Sequence, residues 1–106
     1  MQKAGAAPKV IHVQKSTRKD KKLMAIVGDN TIHFGQQGYG DFTTTRDLAK
    51  KSQYLARHRK NEDWTISGLN SAGFWARWLL WGEPTLQASV TALNKKFPTI
   101  QVTLGG

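Results

Sequence analysis

The sequence predicts one small α+β domain, in which an N-terminal three-stranded antiparallel β-meander is followed by three α-helices, the second rich in tryptophan and buried. At 106 residues the chain is long enough to build one core but not two. Runs with the alternation of strands fill the first third of the sequence, and runs with helical periodicity fill most of the rest. We predict a flexible basic arm over residues 1–8 and the domain over 9–106.

The strand predictions come from three short runs near the N-terminus. Residues 9–14 alternate in polarity, with Ile11 and Val13 on the apolar face. After a charged turn, residues 23–27 and 31–35 are β-rich and are separated by a Gly-Asp-Asn turn that tolerates positive φ. These two runs therefore predict a hairpin that pairs with the first strand.

The first predicted helix runs from about residue 45 to 60, with a capping-box-like start at Thr44. On a helical wheel Leu48 and Leu55 lie together, so we expect both leucines to face the core. Because this apolar stripe is thin, the helix is predicted to lie on the surface of the domain. Its opposite face carries Arg46, Lys50, Gln53, Arg57 and Lys60.

The second predicted helix covers residues 72–81, with Ser71 as its N-cap. Its predicted core residues are Phe74, Trp78, Leu79 and Trp81. The third predicted helix has Pro84 in its first turn, ends before Pro98, and carries the stripe Leu86, Val90, Leu93 and Phe97. Residues 99–104 are either a last strand or a tail that becomes ordered on a partner.

Basic residues dominate the charge of the chain. Sixteen Lys and Arg against seven Asp and Glu give a net charge of +9, which favours nucleic acid, an anionic membrane or an acidic protein as partner. The densest cluster is residues 1–22, where seven basic side chains accompany one acid. The predicted contact residues are Lys3, Lys9, Lys15, Arg18, Lys19, Lys21, Lys22, Arg46, Lys50, Arg57 and Lys60.

Several classes of chemistry lack their usual sequence signals. The chain has no cysteine, and its three histidines are not spaced as metal ligands. No nucleophile elbow is visible, and the glycines of residues 35–40 lack the Lys-Ser/Thr of a phosphate-binding loop, which favours an ordinary tight loop. The longest apolar run is interrupted by Arg77 and is too short to span a bilayer. We therefore predict no enzymatic activity, no cofactor, no metal, no small-molecule substrate and no membrane span.

Three blocks of the sequence carry a family resemblance: IHFGQQGYGDFT, RDLAKKSQYLARHRKNEDW and GFWARWLLWGEPTLQASVTALNKKF. Together they span Ile32 to Phe97, and the last block is the most specific because three tryptophans fall within seven residues. The chain resembles a small basic family of uncharacterised proteins of nucleocytoplasmic large DNA (giant) viruses. The resemblance implies a viral, packaged protein and carries over no catalytic or binding residue.

The basic charge and this resemblance together predict a structural protein of the virion. We expect a minor capsid or cement-type component that adheres to the major capsid protein or to other minor capsid proteins in a large assembly. Such a protein would be made in the host cytoplasm or in a viral factory. The alternative is a nucleic-acid-binding protein that packages or compacts viral DNA. Both alternatives stay open, because Lys and Arg bind carboxylates and phosphates alike.

Overall fold

A computed structural model describes residues 8–105, so the predicted arm lies, apart from Pro8, outside the described residues. Within them, one sheet contains β1 (Lys9–Lys15), β2 (Lys21–Val27), β3 (Asn30–Gln36) and β4 (Ile100–Leu104), in the order β3-β2-β1-β4. The first three strands pair antiparallel, as predicted, whereas β4 lies parallel to β1. Of the two alternatives for residues 99–104, the strand is therefore the one observed.

The strands bury the face that their alternation predicts. Register pairs such as Val13 with Ala25 and Ile11 with Val102 place apolar side chains side by side on that face. Its buried residues are Ile11, Val13, Ala25, Val27, Ile32, Phe34, Ile100 and Val102. The helices that cover this face supply the rest of the core.

The helices between β3 and β4 are mostly short. They are α1 (Phe42–Thr45), α2 (Leu48–His58), α3 (Ala72–Trp75), which continues as a π-helical segment (Ala76–Leu80), and α4 (Leu86–Lys96). A 3₁₀ turn at Ile66–Gly68 joins α2 to α3. In α3 and α4 the predicted N-cap Ser71 and the predicted core residues Val90 and Leu93 are confirmed.

The single first helix predicted over residues 45–60 is instead two helices. Arg46 adopts a left-handed conformation with φ 55°, which ends α1 and turns the chain. Asp41 caps α1, and Thr44 is its capping-box partner and not the N-cap itself. Asp47 then caps α2. Each aspartate accepts hydrogen bonds from free backbone N–H groups at the start of a helix. This explains why the chain forms two helices here instead of one.

The predicted orientation of the first helix is wrong at one leucine. Leu48 is 70% exposed, Leu55 is half-buried, and the residue that α2 buries is Tyr54. The Tyr54 ring stacks on Trp81 with ring centroids 4.5 Å apart, and Lys51 Nζ donates to the Gly82 carbonyl at 2.6 Å. The helix therefore docks through an aromatic ring and an amine, which an aliphatic stripe does not reveal.

The tryptophan-rich helix is buried as predicted, but Trp75 and not Trp78 or Trp81 is at its centre. Trp75 is fully buried, and its Nε1 donates to the Leu69 carbonyl at 2.7 Å. Trp78 and Trp81 are half-buried. The bond from Trp81 N to Ala76 O spans five residues, and this π-helical spacing rotates the last turn away from the α-helical wheel.

Candidate anion-binding cleft

A cleft of about 640 Å³ lies between α2 and the exit of β3. One wall is the face of α2 that carries Lys50, Gln53 and Arg57. These residues are three and four positions apart, so they line the same side of the helix. Asp47 caps the helix that forms this wall, and its side chain accepts from the backbone N–H groups of Ala49 and Lys50.

The opposite wall is the chain that leaves β3. It contributes Gln36, Tyr39 and Gly40, and it is held by an ion pair between Lys22 Nζ and Asp41 Oδ2 at 2.6 Å. Only 19% of the Lys22 side chain and 3% of the Asp41 side chain are exposed. Lys22 also donates to the Tyr39 carbonyl. This wall is therefore fixed in position, and the charge of Lys22 is largely balanced.

The floor of the cleft is apolar and comes from the π-helical segment. Ala76, Leu80 and Trp81 line it together with Tyr54. Gly35 has φ +80°, and a Cβ built there would lie 2.6 Å from Leu80 Cδ1. The missing side chain at Gly35 thus allows Leu80 to approach the sheet.

A layer of polar groups supports α2 beside the cleft, and Tyr54 and His58 of this layer also line it. Glu62 accepts from Trp64 Nε1 at 2.9 Å and contacts His58 Nδ1 at 2.9 Å, and His58 stacks on Tyr54. Burial raises the pKa of the Tyr54 hydroxyl, and the nearby Glu62 carboxylate adds to this effect. The Tyr54 hydroxyl therefore keeps its proton to a higher pH than an exposed tyrosine does.

Arg77 is the most unusual cation near this layer. Its guanidinium carbon lies 4.3 Å from the centroid of the Trp78 ring, and its Nη1 donates to the Trp81 carbonyl at 3.4 Å. Its buried Nε has no hydrogen-bond partner among residues 8–105. Burial lowers the pKa of this guanidinium, which also lies over the Trp64 ring, 5.4 Å from its centroid.

The structure brings together only some of the predicted contact residues. Those that line the cleft are Lys22, Lys50 and Arg57. Those around the turn between β1 and β2 are Lys15, Arg18, Lys19 and Lys21. This turn adjoins the wall that leaves β3, because Gln37 N donates to the Asp20 carbonyl at 2.9 Å. We call these two sets of cations together the basic end.

The other predicted contact residues lie elsewhere. Arg46 precedes α2 and donates to the Pro84 carbonyl at 3.4 Å, and Lys60 follows the end of α2. The predicted basic face is therefore shorter than the sequence indicates, because α2 does not include either residue. Lys9 begins β1 and Lys15 ends it, so the two residues lie roughly 20 Å apart, given the rise per residue of a β-strand. Lys3 lies outside the described residues.

Several cations of the basic end make no side-chain ion pair among residues 8–105. In the part of the chain that the structure describes, Arg18 pairs with Asp20, Lys22 pairs with Asp41, and His58 contacts Glu62. Lys50 and Arg57 make no ion pair with any residue of 8–105, and both side chains are exposed. Their charge is therefore available to an external anion.

Sequence reasoning missed the other half of the cleft. Tyr39, Tyr54 and Trp81 were not predicted to share a site with the basic helix face, and the glycine-rich loop was interpreted as a tight loop alone. No sequence signal pairs that loop with the basic stripe, because nothing in their spacing along the chain shows that they face each other.

No group of three or more His, Cys, Asp or Glu among residues 8–105 is arranged to hold a metal ion. None of the helices in that range is both long and apolar enough to cross a membrane.

Comparison with known proteins gives one partial match. Residues 11–58 match a family of unknown function (DUF5754). No curated protein and no solved structure matches the chain. The matched segment runs from β1 to the end of α2 and so includes both walls of the cleft and Tyr54, whereas the floor residues Ala76, Leu80 and Trp81 lie beyond it.

Proposed function

We propose that this chain is a non-catalytic structural protein of the particle of a large DNA virus, and that it adheres to acidic faces of major or minor capsid proteins. The observation that carries adhesion is the combination of unpaired cations and an exposed aromatic side chain around one cleft. Tyr39 is 70% exposed and lines the cleft together with Lys50 and Arg57, neither of which makes an ion pair among residues 8–105. Protein interfaces are enriched in Tyr and Arg. The viral setting rests on the family resemblance.

A binding role also fits the chemistry of the cleft. Its carboxylate, Asp41, is 2% exposed and is engaged by Lys22 and by the N-terminus of α1. A carboxylate held in this way is not free to accept a proton from a substrate. Lys50 and Arg57 are exposed cations, so they are suited to attract an acidic partner and to fix its orientation on the surface.

The first test is the composition of the particle and the dependence of incorporation on the cleft. We expect mass spectrometry of purified particles to find the chain, and we expect the double variant Lys50→Ala/Arg57→Ala to be incorporated at least about fivefold less than the native chain, a loss of about 1 kcal/mol. The matched control Arg59→Ala/Lys95→Ala removes the same charge from exposed positions outside the cleft and should be incorporated normally. Absence of the native chain from the particle would exclude the proposal.

A second candidate function is packaging of DNA, which the turn between β1 and β2 favours. Lys15, Lys19 and Lys21 lie around this exposed turn, and none of them makes an ion pair among residues 8–105. A phosphate binder should lose affinity with salt at a slope near −0.9 per contacted phosphate, and Lys19→Ala should reduce that slope by about one. Weak, salt-independent binding to duplex DNA would leave only the adhesive function.

A further inference from the structure

We infer that the cleft between α2 and the exit of β3 is a binding site for a nucleotide, which is bound and not converted. The phosphate is held by Lys50 and Arg57, and the base lies over the apolar floor near Trp81. This inference goes beyond adhesion to a capsid protein and is tested separately, but both would use Lys50 and Arg57, so a bound nucleotide and an acidic capsid protein would compete for these two residues.

The shape of the cleft favours a compact ligand. Its volume of about 640 Å³ falls within the range of roughly 300–1,000 Å³ that small-molecule sites occupy. Flat protein interfaces do not need such a concavity. The π-helical segment that forms part of the floor is also a feature found frequently at functional sites.

The cationic wall matches a phosphate. Lys50 and Arg57 are seven residues apart on α2, which places their Cα atoms about 10 Å apart along the axis. Long flexible side chains at that separation can converge on one group between them, where Gln53 adds neutral hydrogen-bonding atoms. Because neither cation has an ion-pair partner among residues 8–105, a phosphate would not have to displace one.

The aromatic floor matches a base. The Trp81 ring is held nearly parallel to Tyr54, with an interplanar angle of 8°, so it is already ordered before any ligand arrives. Tyr39 at the mouth is 70% exposed and can stack on a ligand ring. The side-chain amides of Gln36 and Gln53 both donate and accept, as the polar edge of a base requires.

An acidic peptide is the main competitor for this cleft. It would satisfy Lys50 and Arg57 as well as a phosphate does. An acidic peptide of Asp and Glu, however, has no ring that could stack on Trp81 or Tyr39, whereas a nucleotide has one. The combination of cations, amides and aromatic rings around one cavity therefore favours the nucleotide.

The test is an NMR titration of the full-length, ¹⁵N-labelled protein with AMP, adenosine, inorganic phosphate and an oligoglutamate peptide. We expect AMP to shift amide signals of Gly40, Gln53 and Trp81, and to bind more tightly than either of its parts. Arg57→Gln should weaken AMP about tenfold, the usual effect of losing one charge-assisted hydrogen bond. Arg59→Gln, two residues along and outside the cleft, should change binding less than about twofold.

A second variant separates the base from the phosphate. Tyr39→Leu lies in an exposed position that the fold does not need, and it should weaken AMP while leaving inorganic phosphate unchanged. A short single-stranded oligonucleotide that binds the cleft more tightly than AMP would show that a strand presents the nucleotide. The inference is overturned if phosphate or oligoglutamate binds as tightly as AMP, or if AMP shifts no signal of the cleft. Neither result would affect the particle experiment described above.

Discussion

Gly35 and Gly38 both have positive φ, yet only one of them is constrained by its neighbours. At Gly35 a Cβ would lie 2.6 Å from Leu80 Cδ1 and 3.2 Å from Lys22 Cβ. At Gly38, with φ +86°, no heavy atom lies within 4 Å of the same position. A substitution at Gly38 would therefore cause backbone strain alone, whereas one at Gly35 would also cause a steric clash. Only Gly35 connects the sheet with the floor of the cleft.

The Gly38→Ala variant should lose about 1 kcal/mol of unfolding free energy, because only the left-handed backbone is strained. The Gly35→Ala variant should lose roughly 2–4 kcal/mol, since Leu80 or the strand must also move. Urea denaturation of both variants measures the difference. Equal losses would mean that Leu80 accommodates a methyl group and that Gly35 is needed only for its φ.

Helix α2 is positioned by residues that a hydropathy pattern does not identify as buried. Its inward side holds the ring of Tyr54 between His58 and Trp81, and its two leucines contribute less. This arrangement turns Lys50 and Arg57 toward the cleft. The electrostatic environment of Tyr54 gives a way to test the docking in solution.

The stability of the native chain should fall at alkaline pH in part through Tyr54. Burial raises the pKa of Tyr54 above that of an unfolded tyrosine, which is about 10. Its contribution to stability is thus fully present below about pH 10 and is lost as the pH rises beyond it. Tyr54→Phe has no proton to release, so it should lose less stability than the native chain between about pH 9 and pH 11. Parallel unfolding curves for both proteins across that range would show that α2 is not docked through Tyr54.

At the scale of the whole molecule, the two ends of the described chain meet in one parallel pair. Residues Ile11 and Val102 are register partners in β1 and β4. Helix α4 supports this pair, because Asn94 accepts from Val102 N at 2.7 Å and donates to the Val102 carbonyl at 3.0 Å. The last strand therefore belongs to the core of the domain itself, without a partner to order it.

Two substitutions in β4 test that conclusion. Ile100 is 4% exposed, so Ile100→Ala should cost about 2–5 kcal/mol of unfolding free energy. Leu104 is 38% exposed on the same strand, and Leu104→Ala should cost less than about 1 kcal/mol. Denaturation of the isolated protein provides the measurement. If both variants were as stable as the native chain, residues 99–104 would be a tail that orders only on a partner.

The sequence by itself determined the features that depend on neighbouring residues. The α+β class, the buried faces of β1, β2 and β3, the N-cap Ser71 and the stripe with Val90 and Leu93 follow from local periodicity and capping chemistry. The same reasoning predicts Lys50 and Arg57 as contact residues for an anionic partner, and this stays a prediction.

Only the tertiary structure decided which distant segments meet. The division of the first helix at Arg46, the inward side of α2, the burial of Trp75 and the cleft itself depend on contacts between residues far apart in sequence. Tyr54 outweighs Leu48 because its docking surface is the ring of Trp81, whose position follows from the π-helical turn. A helical wheel averages hydropathy around one helix and contains no information about the surface that the helix will meet, and this is why the cleft could not be predicted.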